Sequence, residues 1–211
     1  MRDPDAVDIM LDWQCEVDWP ELPASAESLS RQIVQATVQR MGLRGSFEVS
    51  LVITDDRRMR RINRQFRGID KTTDVLSFPQ SAAPLLALPF DQTWVARAMG
   101  DDTHGAPESE IAMNAIDFPP EHAASLIAPP LFVNGDQGQP YHLGDIMISV
   151  PTVIRQAAEA NHSAWWECCF LVAHGTLHLL GYDDYYEAGY RAMVAHQEAI
   201  LVELAISRER K

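Results

Sequence analysis

The stretch FLVAHGTLHLLGYDDYYEAGY, residues 170–190, constrains this chain more than any other. His174 and His178 stand four residues apart in an apolar run of Phe170, Leu171, Val172, Ala173, Leu177, Leu179 and Leu180. Such a run, free of proline, predicts a buried helix. Residues i and i+4 of a helix lie one above the other on a single face, so both imidazoles can reach one metal ion. Gly181 is placed to end the helix, because glycine tolerates the left-handed conformation that a C′ position needs. Asp183 and Asp184 follow. The register H-x3-H-x2-G-x2-D puts Asp184 ten residues after His174, as a third ligand. Asp183 is then expected to anchor the turn by accepting backbone N–H bonds.

This spacing matches the extended zinc signature of the metzincin peptidases, with two differences. Gly175 stands where those enzymes carry the glutamate that serves as general base. Asp184 stands where a histidine is usual. A carboxylate oxygen binds zinc at much the same distance as an imidazole nitrogen, so His174, His178 and Asp184 make a workable set for one divalent ion, zinc being expected. Two histidines on an apolar helix can equally be satisfied core residues; Gly181 and Asp184 falling in register favours the ligand reading.

With 211 residues and 46% hydrophobic content, the chain can bury one substantial core and is most simply a single domain. No stretch approaches 18 uncharged apolar residues, so no transmembrane helix is expected. The opening MRDPDAVDIM lacks an apolar core segment and does not read as a secretory signal. Cys15, Cys168 and Cys169 form no C-x-x-C pair and read as reduced core thiols of a cytoplasmic protein.

A net charge of −13 argues, taken alone, against a nucleic-acid partner. The placement of the cations argues the other way. Six of 17 fall between residues 57 and 67, namely Arg57, Arg58, Arg60, Arg61, Arg64 and Arg67, with Lys71 just beyond. At about 100° per residue, Met59, Ile62 and Phe66 gather on one side of a helix, while Arg57, Arg60, Arg61, Arg64 and Arg67 share the other. Five like charges on one stripe repel one another unless an anion shares the site, so Arg57, Arg60, Arg61 and Arg64 are read as substrate-binding.

The remaining pattern is that of an α/β (α+β) fold, a small mixed sheet with helices packed on it. Residues 7–15 read as a strand, and residues 25–41 as a helix stopped by Gly42. FEVSLVIT, residues 47–54, alternates cleanly as a strand with Phe47, Val49, Leu51 and Ile53 on one face. Asp55 and Asp56 suit the first turn of the arginine helix, and TDVLSFP reads as a short buried strand. HLGDIMISVP (142–151) returns to the sheet, Pro151 opens a helix, and residues 163–180 give the histidine helix. A last helix over 185–206 is expected to turn Tyr190, Met193, Val194, Ile200, Leu201 and Leu204 inward, leaving Glu187, His196 and Glu198 on the surface.

HGTLHLLGYD resembles the signature of the YbeY family of bacterial rRNA-maturation endoribonucleases, whose pattern runs HGxLHLxGYDH. The match holds through Asp183 and departs at Asp184, a ligand histidine in the family. NRQFRGIDKTTDVLSFP (63–79) resembles the family's LNxxFRGxDxxTDVLSFP, and HLGDIMIS its LGDIxIS strand. The resemblance covers residues 47–79 and about 143–204.

It implies one YbeY-like metallo-endoribonuclease domain over residues 1–211, acting on single-stranded RNA in 16S rRNA 3′-end maturation and ribosome quality control. It places Arg67 as the functional arginine facing the substrate phosphate, beside the catalytic, metal-holding His174. The ion would lower the pKa of its water and polarise a phosphoryl oxygen. The implied partners are precursor rRNA and the small ribosomal subunit, in the cytoplasm, without DNA specificity or membrane. Two rivals share the features: a non-catalytic ribosome- or RNA-binding factor with an altered metal site, and a metallopeptidase.

Residues 80–140 depart from the family pattern, as an atypical insert with eight of the 13 prolines. Residues 88–99 suggest a short amphipathic helix, and residues 129–145 a hairpin turning at Asn134–Gly138. The insert reads as decoration without a catalytic part.

Overall fold

The computed structural model describes residues 6–81, 85, 131–133, 139–182, 184 and 187–209. In it β1 (Val7–Cys15) leads through α1 (Ala26–Arg40) to β2 (Leu43–Thr54). The chain continues as α2 (Asp56–Arg67), β3 (Val75–Pro79), β4 (Leu131–Val133), β5 (Tyr141–Ser149), α3 (Val150–Glu159), α4 (Ala164–Leu179) and α5 (Glu187–Glu203). This is an α/β fold with a mixed sheet. β1 and β5 flank β2, both parallel to it, and β3 pairs antiparallel with β5. Parallel neighbours need a crossover, which α1 supplies between β1 and β2.

The hairpin expected over residues 129–145 is not formed. β4 and β5 both run parallel to β2, β4 opposite Leu43–Gly45 and β5 from Phe47 onward. β2 is 12 residues long and β5 nine, so β2 has a free stretch of edge ahead of β5, and β4 takes it. The proposed turn at 134–138, the helix at 88–99 and most of the insert lie outside the described residues.

Strand alternation sorts the sheet into two faces. Phe47, Val49, Leu51 and Ile53 of β2, all fully buried, join Ile146 and Ile148 of β5 in the main core. Ile33, Val34 and Val38 of α1, Cys168, Cys169 and Val172 of α4, and Ile200 and Leu201 of α5 complete it. Each such side chain contributes roughly 1.5–3 kcal/mol by burial, and Leu51→Ala would cost about 2–5 kcal/mol. Val52, Leu76, Met147 and Phe78 point the other way, onto Met59 and Ile62 of α2. The histidine helix and the arginine helix therefore cover opposite faces.

α2 starts where its acids predicted. The Asp55 carboxylate accepts the Arg58 amide at 2.8 Å, and Gly68, at φ 72°, closes the other end. Its apolar side is shorter than expected: Met59 is buried, but Phe66 is 62% exposed, because the helix runs on past the narrow core under β3. Tyr190 is likewise exposed rather than inward. Cys168 and Cys169 are buried thiols as expected, whereas Cys15, at the end of β1, is exposed.

Among the described residues no helix is long and apolar enough to cross a membrane. β5 carries an irregularity opposite Glu48–Val49, and Gly144 there adopts φ 136°. A Cβ at Gly144 would lie 2.1 Å from the Phe78 carbonyl oxygen, so the pairing of β3 with β5 depends on glycine.

Candidate metal centre

α4 is held at both ends by its own sequence. The Ser163 hydroxyl accepts the Trp166 amide at 3.0 Å. At the far end Gly181 adopts φ 102°, and the Tyr182 amide turns back to donate to Leu177 O at 3.0 Å. That reversal carries the chain over the last helical turn, where both histidines project.

The Tyr182 carbonyl lies 2.9 Å from Nδ1 of His178. A carbonyl accepts and cannot donate, so it holds the His178 proton on Nδ1 and leaves Nε2 with its lone pair outward. That Nε2 lies 3.0 Å from Nε2 of His174, with the two rings at 84°. Asp184 Oδ2 is 4.0 Å from His174 Nε2, and one ligand atom from each of the three residues lies within 4.8 Å of the others. Ligand atoms around a tetrahedral ion with bonds of 2.0–2.1 Å are about 3.3 Å apart, within side-chain adjustment of this arrangement. Two ring nitrogens converging at 3.0 Å need a proton or a cation between them, and the N, N, O donor set is one that zinc accepts. His174, His178 and Asp184 thus form a group that could hold a metal ion.

Burial lowers the pKa of His174, and neighbouring His178 lowers it further; Asp184, Gln197 and Asp74 oppose the shift without cancelling it. The imidazole is therefore held toward its neutral, ligating form. Gln197 of α5 was not legible as a site residue. Its side chain is fully buried, its Nε2 donates to Phe170 O at 3.2 Å, and the amide borders His174. Its buried Oε1 has no hydrogen-bond partner among the described residues. A signal existed: Gln197 sits four residues after Met193 and three before Ile200, an amide in the inward register of α5.

His196, expected at the surface, is instead partly buried. Arg40 Nε donates to its Nδ1 at 3.2 Å, and its ring meets Tyr182 edge-on at 5.7 Å. It braces the residue whose carbonyl orients His178. Asp183, expected to anchor the turn, lies outside the described residues.

Gly175 faces the sheet rather than the ligand group. A Cβ there would lie 2.9 Å from Ile146 Cγ2 and 3.1 Å from Ser77 Oγ. The close approach of α4 to β3 and β5 needs that glycine, and a glutamate at this position would have no room. The packing therefore leaves no room at position 175 for the glutamate that zinc peptidases carry there.

The arginines divide. Arg60 is committed to Asp70 by a two-pronged contact at 2.8 Å, and Arg58 pairs with Glu16. Arg57, Arg61, Arg64 and Arg67 are exposed and make no ion pair among the described residues. Arg67 ends α2, on the opposite face of the sheet from α4, and no contact among the described residues joins it to His174.

The family model for Endoribonuclease YbeY matches residues 13–205. The chain belongs to the YbeY family. An Endoribonuclease YbeY from Moorella thermoacetica is 36% identical over 190 residues, covering 89% of this chain and 94% of that one. Those from Shouchella clausii and Roseiflexus castenholzii are 33% and 34% identical, over 94% and 97% of this chain and 98% and 99% of theirs. Asp184 is the departure from the YbeY pattern that falls inside the ligand group.

Proposed function

We propose that this protein is a metal-dependent endoribonuclease that cuts single-stranded RNA, acting in the cytoplasm on precursor rRNA at the small ribosomal subunit. The observation that carries this reading is the convergence of His174 Nε2, His178 Nε2 and Asp184 at the end of α4 in a member of a family named for endoribonuclease activity. His174, His178 and Asp184 would hold the ion, zinc fitting the donor set best. A divalent ion there supplies Lewis acidity toward a phosphoryl oxygen and a hydrolytic water of lowered pKa. The chain's own contributions are the ligand set, the tautomer of His178 fixed by Tyr182 O, and the cations that draw in the phosphate backbone. Arg57, Arg61, Arg64 and Arg67 are available for that task; Arg60 would have to leave Asp70 first. Arg67 is assigned to a phosphate of the substrate, where it would neutralise developing charge.

Elemental analysis of protein purified without chelators, alongside cleavage of a single-stranded oligoribonucleotide, its duplex and the matching DNA, tests the assignment. One zinc per chain with cleavage confined to single-stranded RNA is expected. RNA binding without metal or cleavage would leave a non-catalytic RNA-binding factor. Arg61→Glu with Arg64→Glu should weaken RNA binding and flatten its salt dependence, by about 0.7 in log–log slope for each phosphate no longer neutralised. Unchanged affinity and slope would make the stripe a solvated face.

A further inference from the structure

The least expected feature of α2 is the ring at its end. Phe66 is 62% exposed and Ile69, just beyond the helix, is 49% exposed. A lone exposed apolar residue is ordinary, but Phe66 is not placed as one. Its ring meets Phe78 of β3 at 5.2 Å and 61°, so the two are not stacked face to face. Its large exposure leaves ring surface open to solvent. At 100° per residue Arg67 lies one step around the helix from Phe66, whereas Arg64 lies 160° away on the opposite side. The Arg67 guanidinium is exposed and makes no ion pair among the described residues, in contrast to Arg58 and Arg60. In a chain of net charge −13, an unpaired cation beside an open aromatic ring forms a local site for an anion that also carries a flat apolar group.

An unpaired nucleotide has both parts. Single-strand-binding surfaces combine cations along the backbone with aromatic rings on which bases stack. We propose that Phe66 stacks against an unpaired nucleobase while Arg67 holds the adjoining phosphate. The inference rests on the endoribonuclease reading and adds to it a residue that selects single strands, since a base inside a duplex has no free face to offer.

The location suits such a role. Phe78 is the next residue along β3 from Ser77, whose Oγ lies 3.1 Å from the position of a Cβ on Gly175, and Gly175 adjoins His174. The aromatic pair and the ligand helix thus meet the same stretch of edge strand from its two faces. A strand held at Phe66 would reach the ligand group by passing over β3.

Fluorescence anisotropy with a single-stranded oligoribonucleotide tests the idea, using wild type, Phe66→Ala, Phe66→Leu and Phe66→Trp. Removal of the ring should weaken binding by about five- to a hundredfold, the range for one stacked base. The salt slope should be retained, because the phosphate contacts remain. Leu should behave like Ala, and Trp should bind at least as well as wild type. An oligonucleotide made abasic throughout should erase the difference between wild type and Phe66→Ala, and the preference for single strand over duplex should shrink in Phe66→Ala. Loss of the edge contact with Phe78 should lower the melting temperature by only a few degrees in Phe66→Ala, so all three variants remain folded under the assay conditions. Wild-type affinity in Phe66→Ala, or full rescue by Leu, would overturn the stacking assignment while RNA cleavage by wild type upheld the parent reading. Failure of the wild-type protein to bind RNA at all would overturn both.

Discussion

Substituting Gly175 by alanine separates a glycine that packs from one that merely happens to lie in a helix. In an unpacked helix, alanine in place of glycine is favourable by about 1 kcal/mol. Here the added Cβ would lie 2.9 Å from Ile146 Cγ2, 3.1 Å from Ile146 Cδ1 and 3.1 Å from Ser77 Oγ. Ile146 is fully buried on β5, which has β2 on one side and β3 on the other, and its β-branched side chain has few alternative rotamers. Overpacking of this kind costs roughly 1–3 kcal/mol. The balance is a net loss of about 1 kcal/mol, or a melting temperature lower by about 2–4 °C in a chain of this size. Thermal unfolding should be followed with and without a chelator, because a metal held by the candidate group would add its own stabilisation. Ile146→Val, which removes Cδ1, should cost about 0.5–1.5 kcal/mol alone and less in the Gly175→Ala background. A higher melting temperature for Gly175→Ala, or strict additivity with Ile146→Val, would refute the packing argument and reopen position 175 to other roles.

Three further outcomes are expected. Asp184→Ala should lose most of its bound metal while Asp184→His retains or tightens zinc, read by elemental analysis and chelator competition; one tightly held ion per chain in Asp184→Ala would mean a different third ligand. Gln197→Leu should weaken metal affinity by about 10–100-fold through a misplaced His174 ring, with undiminished affinity showing that Gln197 is simply a core amide. Burial acts to raise the Asp56 carboxyl, but hydrogen bonds from Ser149, Arg155 and Thr152 and the Arg155 charge outweigh it and hold the pKa at about 2. A depressed carboxyl stabilises the fold above its unfolded pKa, and that stability is lost as pH falls through about 4 toward 2. Because Asp56 is a third exposed, the loss should be roughly 1–2 kcal/mol. Denaturant unfolding of wild type and Asp56→Asn from about pH 5 to 2.5 checks it, and parallel pH profiles would refute it.

Local signals settled much of this molecule in advance. Alternation in FEVSLVIT set which face of β2 is buried, Asp55 and Gly68 bounded α2, and Ser163 and Gly181 bounded α4, because strand faces and helix ends depend on residues within one or two turns. The grouping of the three candidate ligands was legible for the same reason: His174 and His178 share a helical face, and Asp184 follows a turn three residues after Gly181. Long-range packing decided the rest. Whether a periodic apolar residue is covered depends on how far the neighbouring sheet extends, so Phe66, on the apolar side of its helix, and Tyr190, read as inward, are both exposed. β4 reads as half of a hairpin, but the partner that it pairs with was set by the length of β2. The role of Gly175 depends on Ile146 and Ser77, and those of Gln197 and His196 on where α5 meets α4 and Tyr182. A linear sequence carries periods and spacings; it does not carry the distance between two elements once they pack, and that distance assigned these residues their work.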